Sequence, residues 1–416
     1  MEKNNTKMRR KIRVIISTLG PLHLIKSAEY LSNIVDVRVI QGWIPSWWNK
    51  WLLYIASYIQ KRDIFKTIKK RTPDSLRGKN VGIGLPDLYF WGCRFFKLTS
   101  GPKAVMNAAL LYGKMQKRYL KEADIYHVRS GSGANGAIAF AKKKGMKVIV
   151  DHSIAHPAFM DKQLRDEYLK NNSVFELGLD NPFWRDIIQE CKEGDVVLVN
   201  SQFVKDTFVE NGFNDSQVKV VLLGVRSDFF NLKSTYSIDD KKLKILFTGG
   251  FGFRKGAEYI LRALCKLDGI GLKYEMTVVG DYAGAMPIIK KYRPNHLKLV
   301  NTVPQEELKS YLRDSDVYLF PSLCEGCASS GMEAMAAGLP VISTRESGLP
   351  IENGIDGIVV EAKEVESIVE ALQKVYNDRT MRETLGRNAA EKISKNYTWE
   401  KYAENVVAIY KELLNK

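Results

Sequence analysis

Residues 320–348 read FPSLCEGCASSGMEAMAAGLPVISTRESG, and the fold is decided by how this stretch is read. The apolar run Val317 to Phe320 leading into it predicts a buried strand, which Pro321-Ser322 ends. The small residues Ala328, Ser329, Ser330 and Gly331 then let backbone approach a ligand closely. A Met/Ala-rich helix is expected to start near Ser330, aiming free N–H groups and the positive end of its dipole at a phosphate. Glu325 precedes the turn and Glu333 falls in the first helical turn, so both carboxylates can face one ligand and accept hydrogen bonds from its hydroxyls. Carboxylates that read a polyol, beside a helix end that reads a diphosphate, are what a sugar nucleotide requires.

Outward from this stretch, short Val/Ile runs alternate with helix-like segments along the chain. The runs Arg13 to Ser17, Val35 to Ile40, Ile125 to Val128, Lys147 to Val150, Val196 to Asn200 and Val218 to Leu222 fit the parallel strands of a first α/β layer. A second set comprises Lys244 to Thr248, Met276 to Val279, Leu297 to Asn301, Val317 to Phe320, Val341 to Ser343 and Gly357 to Val360. Two Rossmann-like sheets are implied, as a length of 416 residues allows. The polar, aperiodic segment Ser227 to Lys242 separates the two sets, which predicts domains at residues 1–226 and 227–396. Tyr397-Thr398-Trp399 then opens an apolar period through Val406, Ile409, Tyr410 and Leu413, a terminal helix within 397–416.

Composition narrows the setting. Five cysteines, odd in number and scattered, predict reduced thiols in a cytoplasmic protein. Cys324 and Cys327 form one CxxC, but without a second pair or a nearby histidine the glutamate loop explains them better than a metal or redox centre. The start MRRKIRVIISTLG imitates a signal peptide, yet its apolar part spans only Ile12 to Leu19 and reads as a first strand. No apolar run approaches the length of a membrane span, so a soluble or monotopic protein is expected. Residues 1–100 carry 19 Lys/Arg against six Asp/Glu, which accounts for most of the net charge of +16. Such a surplus suits anionic lipid, an anionic acceptor or nucleic acid. Trp43, Trp47, Trp48 and Trp51 recur at near-helical spacing before the basic run Lys61 to Arg71, so residues 43–71 read either as an in-plane membrane helix or as a core helix with a solvated basic face. The membrane reading is preferred over packing, and both over nucleic acid.

Glu325-x7-Glu333, followed by Ala-Met-Ala-Ala-Gly-Leu-Pro-Val-Ile, resembles the donor-binding signature of the retaining glycosyltransferases of family 4. The resemblance covers roughly residues 190–410 and is weaker before that. It implies the GT-B fold, two Rossmann-like domains with parallel sheets facing across a cleft, and a terminal helix that crosses back onto the first domain. Where many members have Phe-Gly-x-Pro after Glu-Gly, this chain has Cys327-Ala328-Ser329-Ser330, a departure that bears on the donor sugar rather than on the phosphate. The loop Gly249-Gly250-Phe251-Gly252-Phe253-Arg254-Lys255-Gly256 resembles the family's basic pair that clamps a diphosphate, with Arg254 in place of an arginine that relatives carry after the first glycine. His156, in Asp151-His152-Ser153-Ile154-Ala155-His156-Pro157, resembles the cleft histidine that touches donor sugar or acceptor. Gly20 occupies the first strand-to-helix turn, and Val303 joins Gly250, Ser329, Ser330 and Gly331 in the donor-binding set that the resemblance implies.

Alternatives stand beside several of these. The spacing of His152 and His156 would suit a metal pair if the loop were helical, which Pro157 argues against, and packing or capping is the other reading of each histidine. His127 reads as structural, and Asp151 as a group that orients its neighbour. Asp314-Ser315-Asp316 imitates a metal motif of another glycosyltransferase fold, but it ends a helix and opens a strand, which capping explains. The expectation is therefore a retaining transferase moving a hexose-type sugar from a nucleoside diphosphate to a glycan or lipid-linked acceptor, without metal or other cofactor. It would be cytoplasmic, with a peripheral contact on the inner face of the cell membrane and a role in cell-surface polysaccharide or glycolipid synthesis. A GT-B phosphorylase or a nucleotide-sugar epimerase is the second enzyme reading, and a nucleotide-sugar or nucleic-acid binding module is the non-enzymatic one.

Overall fold

Strands form where the apolar runs predict them. The computed structural model describes residues 10–20, 23–44, 72–175, 178–238 and 242–415. Its first sheet contains β1 (Arg13–Thr18), β2 (Asp36–Gln41), β3 (Asn80–Gly82), β4 (Ile125–Arg129), β5 (Lys147–His152), β6 (Val196–Val199) and β7 (Val218–Val220), in the order β3-β2-β1-β4-β5-β6-β7. The second contains β8 (Leu243–Thr248), β9 (Tyr274–Val279), β10 (Leu297–Val300), β11 (Val317–Phe320), β12 (Val341–Ser343) and β13 (Ile358–Val359), in the order β10-β9-β8-β11-β12-β13. β1 pairs in parallel with β2 and β4, and β8 with β9 and β11. Parallel neighbours need crossover segments, which is why helices alternate with strands. Among the described residues only β3 escapes the sequence reading: it is three residues long, Val81 is its one large apolar side chain, and it forms by pairing with β2 at the edge.

The described residues of Met1–His152, Asp180–Leu198 and Ala403–Lys416 make one compact unit, and those of Ser153–Leu179 and Val199–Tyr402 make a second. In the first, β1 and β4 bury Val14, Ile15, Ile16, Ile125, Tyr126 and Val128. Both faces of such strands are covered, so their sequences run apolar without alternation. The terminal helix Trp399–Leu414 belongs to this unit from Ala403 onward, and there the Tyr410 hydroxyl shares a hydrogen bond of 2.7 Å with Nδ1 of the wholly buried His127. In the second unit β8 and β11 bury Phe247 and Phe320, whose rings stack at 5.3 Å. Among the described residues no helix is long and apolar enough to cross a membrane. Of the tryptophan-rich segment 43–71, only Trp43 and Ile44 are described, so the reading of residues 45–71 lies outside the described residues.

Candidate functional site

In the second sheet the strand order reverses between β8 and β11, because β9 and β10 continue on one side and β12 and β13 on the other. The loops that leave two neighbouring parallel strands at such a reversal diverge and leave a crevice at the strands' carboxyl ends. Here those loops are 249–256, after β8, and 321–328, after β11. Far apart in sequence, they meet because Val317 and Tyr318 pair with Ile245 and Leu246.

Their meeting is tight at the backbone. Gly256 adopts φ 76°, and a Cβ on it would lie 2.0 Å from the Pro321 carbonyl oxygen. Leu323 N–H donates to the Arg254 carbonyl at 2.9 Å, and Ser322 Oγ to the same oxygen at 3.1 Å. Glu325 N–H donates to the Glu346 carbonyl at 2.8 Å and Ala328 N–H to the Ser347 carbonyl at 3.0 Å. Ser201 Oγ donates to the Gly326 carbonyl at 2.5 Å. The turn at Gly348, φ 67°, approaches so closely that a Cβ there would stand 1.9 Å from the Gly326 oxygen. The loop bearing Glu325 is thus fixed from three sides before any charged side chain acts.

The charges gather on this frame. Glu325 Oε1 lies 2.6 Å from Arg254 Nη1 and 3.0 Å from Lys255 Nζ, and Arg254 Nη1 also donates to the Cys324 carbonyl at 2.8 Å. Lys255 Nζ sits 4.7 Å over the Phe320 ring. Burial works against the Arg254 charge, but Glu325 more than offsets it and holds the guanidinium above its ordinary value. Two partly buried cations converge on one carboxylate, a cluster that carries net positive charge.

Helix Ser329–Ala337 begins one residue earlier than expected, and its N-cap is Ala328, which has no side-chain oxygen to offer the first N–H groups. Ser329 is exposed, Ser330 half-buried and Gly331 buried, with no room for a Cβ beside Leu349. Glu333, one turn into the helix, is half-buried; burial pushes its carboxyl up to about 7, with Arg226 opposing the rise and Asp228 adding to it. Gly250 has open space around it, and Val303 is half-buried between β10 and helix Gln305–Asp314.

His156, in the same unit, follows a segment that presses on the Glu325 loop, where a Cβ on Gly326 would lie 2.1 Å from the Ser153 carbonyl oxygen and Ala155 N–H reaches the Cys324 sulfur. Its Nδ1 accepts the Ala158 N–H at 3.2 Å as N-cap of helix Pro157–Lys170, and its ring meets Phe208 edge-on at 5.1 Å. The capping role weighed for it is therefore realised. In the other unit Gly20 closes the turn after β1, where Thr18 Oγ1 donates to its carbonyl at 2.7 Å. Asp151 has more to do there than orient its neighbour: it lies 3.0 Å from His23 Nε2 and 2.8 Å from Arg129 Nη1. Burial alone would raise this carboxyl, yet His23, His127 and Arg129 pull it well below the usual carboxylate range. Asp316 accepts Lys244 N–H at 2.8 Å and faces Lys233 at 3.9 Å, an anchor between strands. Sequence reasoning passed over Ser201, Glu346 and Gly348, which hold the Glu325 loop; the Ser-Gly that ends the opening stretch was the one available signal.

The two parallel Rossmann-like sheets, with a switch-point crevice in the second, define the GT-B architecture of glycosyltransferases. Residues 228–392 match the family model described as Glycosyl transferases group 1, a region that includes every residue of the Arg254, Lys255 and Glu325 cluster. The uncharacterized glycosyltransferase MJ1178 of Methanocaldococcus jannaschii is 27% identical over 224 residues, 53% of this chain and 60% of that protein. The sulfoquinovosyl transferase SQD2 of Arabidopsis thaliana is 23% identical over 367 residues, 83% of this chain and 68% of that protein. Among solved structures, Anabaena Alr3699/HepE in complex with UDP-glucose superposes with a TM-score of 0.63 at 13% identity, covering 96% of this chain and 100% of that one. The match to MJ1178 spans about 60% of that relative's length, and at this identity the solved structure speaks for the fold.

Proposed function

We propose that the protein is a glycosyltransferase that moves a hexose-type sugar from a nucleoside diphosphate to a glycan or lipid-linked saccharide acceptor, with retention at the anomeric carbon as in family 4. The observation that carries this reading is the Arg254, Lys255 and Glu325 cluster beside a helix start capped only by alanine, inside the matched region. Arg254, Lys255 and the N–H groups around Ser330 and Gly331 neutralise the departing diphosphate, the step at which preorganised charge matters most. Without donor, Glu325 is the counter-ion of both cations. An arriving diphosphate takes over that role and frees Glu325 for sugar hydroxyls, while Glu333 accepts from the ribose. Gly250 leaves room for the phosphates. With Nδ1 committed to the cap, any contact of His156 with sugar or acceptor runs through Nε2.

In the proposed chemistry the bond from the anomeric carbon to the diphosphate oxygen breaks as the acceptor oxygen attacks from the same face, and the leaving phosphate takes the acceptor proton. The complex of HepE with UDP-glucose supports a uridine donor, and SQD2's transfer of a sugar supports the reaction class. Cell-surface polysaccharide or glycolipid synthesis is the setting proposed for it. Thermal unfolding with UDP, GDP, ADP and their sugar conjugates tests the donor half. A ligand at one hundred times its Kd stabilises by about 2.7 kcal/mol, and a midpoint unmoved by every one of these would sink the reading. The anomeric proton coupling of the product then reports retention, and release of sugar phosphate or an altered nucleotide sugar from donor alone would mark a phosphorylase or an epimerase instead.

A further inference from the structure

Helix Gly84–Phe95 is amphipathic in the wrong direction. Pro86 and Cys93 are buried, Tyr89 is half-buried, and the Tyr89 hydroxyl accepts from Asn107 Nδ2 at 2.9 Å on helix Gly101–Gln116, against which this helix packs. On the opposite side Leu85, Leu88, Trp91 and Phe95 recur at spacings of three and four, in solvent. The helix ends with Phe96 N–H on the Gly92 carbonyl, and Lys97 at φ 52° turns the chain so that Leu98 N–H reaches the Cys93 carbonyl at 3.0 Å. That turn also sets Phe96 and Leu98 outward, so six large apolar side chains between residues 85 and 98 are each 49–70% exposed. Single exposed apolar residues are ordinary, whereas a contiguous patch marks something that covers it.

The charge around the patch indicates what covers it. Between residues 84 and 103 the chain has three Lys/Arg, namely Arg94, Lys97 and Lys103, and a single acidic residue, Asp87. Asp87 is half-buried and accepts the Trp43 N–H, so it does not oppose the cations at the surface. Arg94 leans over the Phe90 ring, and Lys97 stands between Phe96 and Leu98. We propose that this face docks the protein on an anionic lipid bilayer, with the six apolar side chains entering the boundary between headgroups and acyl chains and Arg94 and Lys97 meeting lipid phosphates. A ridge of ring and leucine tips with cations among them is how an in-plane interfacial helix is built. A bilayer supplies apolar depth and negative charge together, without the complementary groove that a protein partner would need. The inference stands on the first unit alone and does not depend on the donor site, although it would bring a lipid-linked acceptor within reach.

The test is flotation of the full chain with vesicles of phosphatidylcholine, with and without phosphatidylglycerol. Co-flotation with the anionic vesicles, weakened by salt, is expected of the unaltered protein. A Leu88→Ser, Trp91→Ser, Phe95→Ser variant should partition about tenfold more weakly or less still while melting at the same temperature. Arg94→Gln with Lys97→Gln should remove mainly the preference for anionic vesicles. If the triple variant melts early, Phe96→Ser with Leu98→Ser, beyond the helix, carries the same expectation. Flotation of the serine variants equal to that of the unaltered protein overturns the proposal. So does loss confined to a Trp47→Ala, Trp48→Ala, Trp51→Ala variant, or light scattering in which the serine variants split a dimer while no form floats.

Discussion

The loop 321–328 and the helix Gly84–Phe95 depart from ordinary partition in opposite senses. In the loop, charges are drawn inside: Glu325, Arg254 and Lys255 share a partly buried cluster, and the backbone around them is tied to Glu346, Ser347 and Ser201. On the helix, apolar groups are left outside, about half exposed or more. Buried charge persists only where partners are arranged in advance, because an uncompensated one costs several kcal/mol. Exposed apolar surface asks for a partner from elsewhere. The difference teaches where substitutions will hurt: the loop is over-determined and the helix face is not.

The strongest way to break this contrast is at the cations. Lys255→Ala and Arg254→Ala should each lower kcat/KM for the sugar nucleotide by about 10²–10³-fold, measured by steady-state kinetics, with little change in melting because Glu325 keeps the other cation. Unchanged turnover would show that the cluster is an anchor and no more. Next comes the frame itself. Gly348→Ala places a Cβ against the Gly326 oxygen at a left-handed φ, and denaturant unfolding should register a loss of about 3 kcal/mol or more. Gly250→Ala, with open space around it, should stay within about 0.5 kcal/mol.

Glu333 sharpens the comparison through pH. Its folded value, about 7, is raised above the unfolded 4.5 by burial, so the protonated form is the one that suits the fold. That contribution is complete below the unfolded value and is lost as pH rises through about 7, at a cost of about 3 kcal/mol at most. Glu333→Gln should therefore raise the melting temperature at pH 8 and leave it unchanged at pH 4. Donor affinity should move the other way: in the unaltered protein it falls as pH drops below about 7 and the acceptor carboxylate is lost, and in the glutamine variant it is weaker and flat with pH. The smallest effect on stability is expected on the helix face, where Leu88→Ser, Trp91→Ser and Phe95→Ser together should leave unfolding within about 0.5 kcal/mol.

Much of this was legible from residues alone. Buried parallel strands announce themselves as unbroken Val/Ile runs, so among the described residues twelve strands could be placed from the chain and only the three-residue β3 could not. The Glu325 to Glu333 motif and the Arg254-Lys255 pair were legible for the same reason: their chemistry is local, a turn of small residues before a helix and a glycine loop after a strand. The His23 to Asp151 contact and the ties from Ser201 and Gly348 were not, because each joins residues whose separation is set by strand order, whereas the cap at His156 reaches only to Ala158 and was open to a reading from the chain. Nor does periodicity reveal that helix Gly84–Phe95 faces its apolar stripe outward, since an amphipathic pattern has no sign until a neighbour is present.

From its sequence alone the chain was committed to two α/β sheets and to a loop able to hold sugar hydroxyls beside phosphate, because both follow from short-range pattern and residue chemistry. It took the pairing of β8 with β11 to bring Arg254 and Lys255 onto Glu325, and the packing of helix Gly101–Gln116 against helix Gly84–Phe95, tied at Tyr89 by Asn107, to leave Trp91 and Phe95 in solvent. Which charges meet and which apolar faces stay open depend on neighbours far away in the chain, and only the folded topology supplies them.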